Sequence, residues 1–427
     1  MPAEAAPRAE AAERPHPHPA GRRVLALTSL GHFANDGAVF FVPVIVDLLA
    51  VTRHVGAPLI TASLTLFYLS TALGGVGLGR LVDRRRLQVQ GMVAGLLGLS
   101  AGLILFAVAT DNVLVPFFLV VASVVTGLGA SLYHPTGSSI LQARYRGGNL
   151  GRYLGINGAA GSLGRAVYPT LLFLVALPFA SQSLGVVFFA AVGIAVAAVI
   201  FAGLRGLPDL HPATATTPQT AGEDGRRGAA PRVVSGSIVL LAVISLLRSV
   251  AFFGILSWIP EYISFERGAG AGLSLGTIMT LMFAGGILGQ LVFGKLVETH
   301  DKRLILVVNT LLSALLLFLY VVTSGFLSLA FLGLFGFINF SGFPIFMSMI
   351  SDYVPRGSTT TANALVWNLG GTGGQAIGPL LVGVLYAGSY AHLSTVFEMV
   401  LGVAAVSALL ALRLPRPVRV SPVPLFG

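Results

Sequence analysis

Six ionisable side chains lie inside long apolar stretches of this 427-residue chain: His32, Asp36, His134, Arg165, Arg248 and Glu261. A charge in such surroundings is expensive, so each of these residues needs a partner or a function. A guanidinium stays charged and grips a carboxylate, phosphate or phosphonate through two parallel hydrogen bonds. Arg165 and Arg248, facing one cavity, would therefore make an anion site. Asp36 can neutralise an arginine or carry a proton, and the sequence leaves both roles open. His32 stands one helical turn before Asp36 and shares its face. Histidine titrates near neutral pH, so His32 and His134 suit a proton relay, or equally a hydrogen-bonded helix contact. The plainer alternative for Asp36 is a fixed pair with one arginine that holds helices in register. Asn35, Tyr133, Asn157, Trp258, Tyr262, Gln290, Asn339, Trp367, Asn368 and Gln375 add amides and aromatic tips to the same apolar stretches. For any one of these, an interhelical hydrogen bond is the simpler role. Asp47 and Glu398 fall nearer to the ends of their stretches and are set aside.

The elements that position these residues follow from composition. Hydrophobic residues make up 55% of the chain, charged residues 10%, and mean hydropathy is +0.86. A soluble domain carries about 25% charged residues, so this surface could not be solvated. A helix needs about 20 mostly apolar residues to cross a bilayer. Such stretches recur at 24–50, 58–79, 87–110, 113–141, 152–178, 183–205, 236–263, 272–297, 303–323, 326–350, 358–387 and 392–412. The predicted fold class is an all-α polytopic membrane protein with twelve transmembrane helices. Residues 1–23 read as a polar tail, 24–205 as a first six-helix bundle and 206–235 as a flexible Pro-rich linker. Residues 236–412 read as a second six-helix bundle, and 413–427 as a second tail.

The net charge of +10 acquires its meaning from where the charges fall. If the N-terminal tail is cytoplasmic, 22 of the 26 Lys and Arg residues lie on that side, against Arg53 and Arg267 on the other. That asymmetry predicts a multi-pass protein of the inner or plasma membrane with both termini cytoplasmic. It makes the basicity a topology signal, so no nucleic-acid partner is expected. Gly289–Lys295 resembles a phosphate-binding loop, but Leu296 replaces the required hydroxyl residue and the segment ends a membrane span. Neither an HExxH nor a GxSxG motif occurs, and there is no cysteine. No enzyme activity, cofactor or metal site is expected.

The halves echo each other. Gly79-Arg80-Leu81-Val82-Asp83 follows the second span, and Gly294-Lys295-Leu296-Val297-Glu298 follows the eighth. Gly161, Gly164 and Pro169 recur as Gly371, Gly374 and Pro379, and Pro135 in the fourth span has its counterpart in Pro344 of the tenth. Echoes on equivalent spans indicate two pseudo-symmetric six-helix repeats.

With Gly79, Leu81, Asp83 and Arg84 in the loop pattern, the chain from Val24 to about Leu412 resembles the major facilitator superfamily. Arg86 stands where that pattern has glycine, and Leu87 where it has a basic residue. His32–Gly37, Gly127–Pro135 and Leu247-Arg248-Ser249 resemble the fosmidomycin-resistance branch. The resemblance implies a monomeric secondary transporter that works by alternating access, with the lipid bilayer and a small-molecule substrate as its partners. The branch implies proton-coupled efflux of a small anionic or drug-like solute. Import or facilitated passage of a sugar or carboxylate is the alternative, as is a sensor built on the same fold. On this reading Arg165, Arg248, Asn35, Tyr133, Tyr262, Trp367 and Asn368 contact the substrate. Asp36, His32, His134 and Glu261 carry protons. Asp83 and Arg84 would latch one face against the helix start at Ser358–Thr361, with Glu298 as the repeat-related latch near Gly151-Arg152.

Overall fold

The computed structural model describes residues 19–111, 113–145, 150–179, 181–207, 210, 235–353, 362, 364–386 and 393–416. Among them there is no strand. The first six spans are α1 (Pro19–Arg53), α2 (Ala57–Arg85), α3 (Gln88–Asp111), α4 (Val115–Arg144), α5 (Leu150–Ala176) and α6 (Gln182–Leu204). The second six begin with α7 (Gly236–Glu261), which continues into a π-helical turn over Tyr262–Glu266. α8 (Leu273–Thr299) and α9 (Lys302–Val322) follow. The tenth span is broken into α10 (Gly325–Asn339) and α11 (Gly342–Tyr353). The eleventh starts as a π-helical stretch over Ala364–Thr372 and becomes regular in α12 (Gly373–Leu385). α13 (Leu393–Ala411) is the last. Eleven of these segments are long and apolar enough to cross a membrane, the tenth counted across its break; the eleventh span, divided between two helical forms, falls outside that count.

The two irregular spans have local causes. Pro344 has no N–H, and its ring would crowd the carbonyl of residue 340, which favours a kink or break in the tenth helix there. The chain breaks at Phe340–Ser341 and restarts with the proline in the first turn of α11. The eleventh span carries Gly370-Gly371-Thr372-Gly373-Gly374, which gives the regular helix little intrinsic support.

The repeat read from the sequence is a packing repeat. α5 lies against α1 through Gly161 and Gly164; in the eleventh span the counterpart Gly374 lies against α7, with Gly370 and Gly378, whereas Gly371, the counterpart of Gly161, makes only ordinary contact. α4 packs on α2 and α3, as α10 packs on α8 and α9. The turn after α2 explains one departure from the superfamily loop pattern. Arg86 takes φ of 55°, a left-handed conformation that glycine adopts freely and an L side chain adopts at about 1–2 kcal/mol.

The two bundles meet at the end of the molecule away from the chain termini, called here the far end. Thr61 of α2 abuts Gly383 of α12, and Gly276 of α8 fits against Pro169 and Phe173 of α5. The α5–α8 seam runs back through Thr170–Thr280 (2.7 Å) to Gln290, whose amide donates to Ser162 (3.0 Å) and lies beside Gly158. Nearer the termini, Gly77, Gly79, Gly155 and Gly294 have no described atom within 4 Å of the position a Cβ would take. Among the described residues, contacts between the bundles run from the far end back along the α5–α8 seam to Gln290 and Ser162.

Candidate functional site

Asp36 lies in the middle of α1, almost fully buried, and three basic side chains converge on it. His32 Nε2 is 3.3 Å from Oδ2, His134 Nε2 is 3.4 Å from Oδ1, and Arg165 Nε is 3.7 Å from Oδ2. Asn35 Nδ2 adds a hydrogen bond to Oδ1 at 3.1 Å. The groups come from three helices: His32, Asn35 and Asp36 from α1, His134 from α4 and Arg165 from α5. α5 can approach so closely because residue 161 is glycine. A Cβ there would sit 2.6 Å from the His32 ring and 2.9 Å from Asp36 Oδ2.

The orientation of His32 is set by a chain of hydrogen bonds. Tyr133 donates its hydroxyl to the Thr28 carbonyl at 2.6 Å, which leaves its oxygen to accept from Asn157 Nδ2 at 3.1 Å. Asn157 therefore turns Oδ1 toward His32 Nδ1, 2.8 Å away, so Nδ1 carries a hydrogen. Nε2 is then the nitrogen that faces Asp36. Tyr133 also stacks on the His32 ring, with centroids 4.9 Å apart. A histidine tied at Nδ1 to a side-chain carbonyl and aimed through Nε2 at a carboxylate can add or lose a proton with little movement. His134 is 59% exposed in its side chain while Arg165 and His32 are 12% and 11% exposed, so the cluster is reached through His134 from an open side.

Arg165 belongs to both bundles. Nη2 donates to Ser162 at 2.6 Å, and the guanidinium lies over the rings of Phe40 (5.0 Å) and Phe340 (5.1 Å). Phe40 is on α1, whereas Phe340 sits at the break in the tenth span. Phe283 of α8 completes an aromatic contact between the bundles with these two rings. A cation over two ring faces, with a carboxylate at its edge, is held without being fully hydrogen-bonded.

Arg248 does not reach Asp36. Nη2 donates to Asn309 Oδ1 (3.0 Å), to the Asn339 carbonyl (3.0 Å) and to Asn339 Oδ1 (3.1 Å). Asn309 Nδ2 donates to the Ile338 carbonyl at 2.6 Å. Arg248 thus supplies a donor to the Asn339 carbonyl at the tenth-span break, and Asn309 adds a second donor to the Ile338 carbonyl, which also accepts from Ser341 N. The two arginines flank consecutive residues, Asn339 and Phe340.

The other sequence candidates are dispersed. Tyr262 is at the far end, where it accepts from Arg267 Nε at 2.8 Å and packs on Tyr320 and Phe397. Trp258 donates to the Pro379 carbonyl, joining α7 to α12. Glu261 is buried at the far end of α7. Trp367 is half-buried in the π-helical stretch, beside Gly371. Arg84 is exposed in the last turn of α2. The side chains of Asp83, Glu298, Asn368 and Arg152, and all of Ser358–Thr361, lie outside the described residues. Asn309, Ser162, Phe40 and Phe340 were not singled out from the sequence. An amide in the otherwise apolar run of α9 was a legible signal for Asn309, but the phenylalanines carry none.

His32, Asp36 and His134 bring potential ligand atoms within 4.8 Å of one another, a set that could hold a metal ion. The Arg165 guanidinium beside the same carboxylate opposes a divalent cation there.

Twelve spans in two repeats that meet along a seam, with a buried charge cluster that reaches the second bundle through Arg165 and Phe340, define a transporter fold. The family model of the Major Facilitator Superfamily matches residues 28–373, with a second match over 271–427, and the chain belongs to that superfamily. Among similar solved structures is a bacterial homolog of the human lysosomal transporter Spinster, inward-facing and unoccupied. It is 14% identical, with 92% of this chain and 95% of that chain covered and a TM-score of 0.63. The nucleoside transporter NupG is 13% identical over 93% and 99%, with a TM-score of 0.66. The xylose transporter XylE from E. coli, inward open, is 13% identical over 93% and 97%, with a TM-score of 0.70. At these identities the likeness is one of fold. No curated protein sequence matches the chain significantly.

Proposed function

We propose that this chain exports a small organic anion or an anionic drug-like compound across the cell membrane by proton-coupled alternating access. The observation that carries the reading is Arg165, a buried cation held between Asp36 of the first bundle and the Phe340 ring of the second. An anion entering past the exposed His134 can take up the guanidinium's remaining hydrogen-bonding capacity and weaken its hold on Asp36. His32 and His134 stand ready to exchange a proton with the carboxylate so released. Anion binding and protonation then act on the same three charges, which is what coupling requires. Arg248, bonded to Asn339 next to the Phe340 that Arg165 faces, adds positive potential to the site. The motifs at His32–Gly37 and Gly127–Pro135 support the fosmidomycin-resistance branch and hence outward transport.

The proposal includes a monomer with both termini cytoplasmic, so that the near end faces the cytoplasm. The linker at 206–235 joins the domains at 24–205 and 236–412. Asp83, Arg84 and Glu298 would be the latches that close the near end. Import of a carboxylate or sugar is the second reading, favoured only by the neutral amides and aromatic residues near the site.

A ligand-stability screen tests the substrate class. Anionic compounds should raise the melting temperature of the wild-type protein, and Arg165→Ala should lose that response. Cationic compounds acting alone, or an unchanged anion response in Arg165→Ala, would refute the anion reading.

A further inference from the structure

A second pair of acids sits at the far end, remote from the functions assigned to Asp36. Asp47 on α1 and Glu261 at the end of α7 are both completely buried, and they belong to opposite bundles. Ser264, on the π-helical turn just beyond Glu261, donates its hydroxyl to Asp47 Oδ2 at 2.6 Å, across the bundle seam. Asp47 Oδ1 and both carboxyl oxygens of Glu261 have no hydrogen-bond partner among the described residues. No Lys, Arg or His of those residues makes an ion pair with either acid.

The charged and titratable groups around the pair are committed elsewhere or turned outward. Arg267 gives its guanidinium to the carbonyls of Tyr320, Val321 and Thr323 and to the Tyr262 hydroxyl. Glu266 accepts the Ser394 backbone N–H at the start of α13. Arg53 and His54 at the end of α1, and Glu398 on α13, are exposed. From α2, Tyr68 is buried and carries no positive charge. The buried tyrosines Tyr320 and Tyr386 carry no positive charge.

Glu261 stands three residues before Ser264, so both acids are buried at the same seam, and two ionised carboxylates without counter-ions in such an apolar seam would disfavour its closure. A proton on either acid removes one charge and adds the donor that the bare oxygens lack. We propose that Asp47 and Glu261 form a proton-binding site that clasps the far end shut. When the far end opens, the pair meets water and the proton leaves a carboxyl O–H for a water molecule. When it closes, a proton returns to a carboxylate oxygen. The clasp rests on the alternating-access reading but not on the substrate or on Asp36, and it gives a role to an acid near a span end.

The chain has no native cysteine, so the test is direct. Val113, 88% exposed between α3 and α4, and Phe326, 87% exposed at the start of α10, mark the far ends of the two bundles. Spin labels on Val113→Cys and Phe326→Cys, in lipid nanodiscs without substrate, report far-end opening as a distance distribution. Between roughly pH 5 and roughly pH 9 the long-distance population should grow, by up to about tenfold per pH unit for each proton released. Asp47→Asn with Glu261→Gln should hold the short distance throughout that range. Each single variant should shift the midpoint of the transition, which keeps the test open if the double variant folds poorly. A wild-type distribution indifferent to pH, or a wild-type pH response in the neutralised proteins, overturns the clasp. A protein that shows the expected response but transports nothing retains the clasp and loses the transport reading.

Discussion

Asp36→Asn, folded and inserted, is expected to lose proton-driven flux by about a hundredfold or more, because it removes the one carboxylate on which three basic groups converge. The substitution keeps the size of the side chain, so α5 can still pack against α1 through Gly161. It leaves Arg165 as an uncompensated cation, and His32 Nε2 without a charged partner. Breaking a buried pair by removing one partner costs about 3–5 kcal/mol, which is enough to trap the transporter in whichever state best solvates the arginine. Anion binding should survive or tighten, since the guanidinium no longer has a competitor. Flux and equilibrium binding measured side by side therefore separate this account from a fixed structural pair, for which binding and flux would fall together with stability.

Arg248→Ala carries the second large effect, and it falls on stability. Arg248 gives hydrogen bonds to Asn309 Oδ1, Asn339 Oδ1 and the Asn339 carbonyl where the tenth span breaks. Each buried acceptor left without a donor costs about 1–3 kcal/mol. The net loss is expected to be about 2–4 kcal/mol, because removing a buried charge returns part of that penalty. Thermal unfolding in detergent should show a clear fall in melting temperature for Arg248→Ala, and a smaller one for Arg248→Lys, whose ammonium cannot present the same planar fork. A wild-type melting temperature in Arg248→Ala would mean that the break in the tenth span is held by other means.

Much of this architecture was legible in the chain, for reasons tied to the bilayer. Apolar runs of spanning length and the asymmetry of Lys and Arg gave the spans and their alternation, since both respond to the membrane and not to packing detail. The glycine echoes between the fifth and eleventh spans could be read because close helix approach admits few residues. Asp36, His32, His134 and Arg165 stood out because charges in apolar spans are rare, and the structure brings those four together. Arg248 stood out equally and has different partners, because sequence depth along a span says nothing about which way a side chain turns. The break at Phe340–Ser341 lay behind Pro344, but its relation to Arg248 and Asn309 depends on a three-helix meeting that no local pattern encodes. Asp47 was passed over for its place near a span end. Its burial comes from the seam between bundles, which exists only once the two halves have closed.

The central claim is that proton movement and anion movement share the charges around Asp36. Its most direct test is flux of an anion identified by the stability screen, measured with purified protein in liposomes with and without an imposed pH gradient. The account predicts uphill movement of the anion driven by the gradient and abolished when the gradient is collapsed. Equal flux in both conditions, running only down the anion's own gradient, would contradict it.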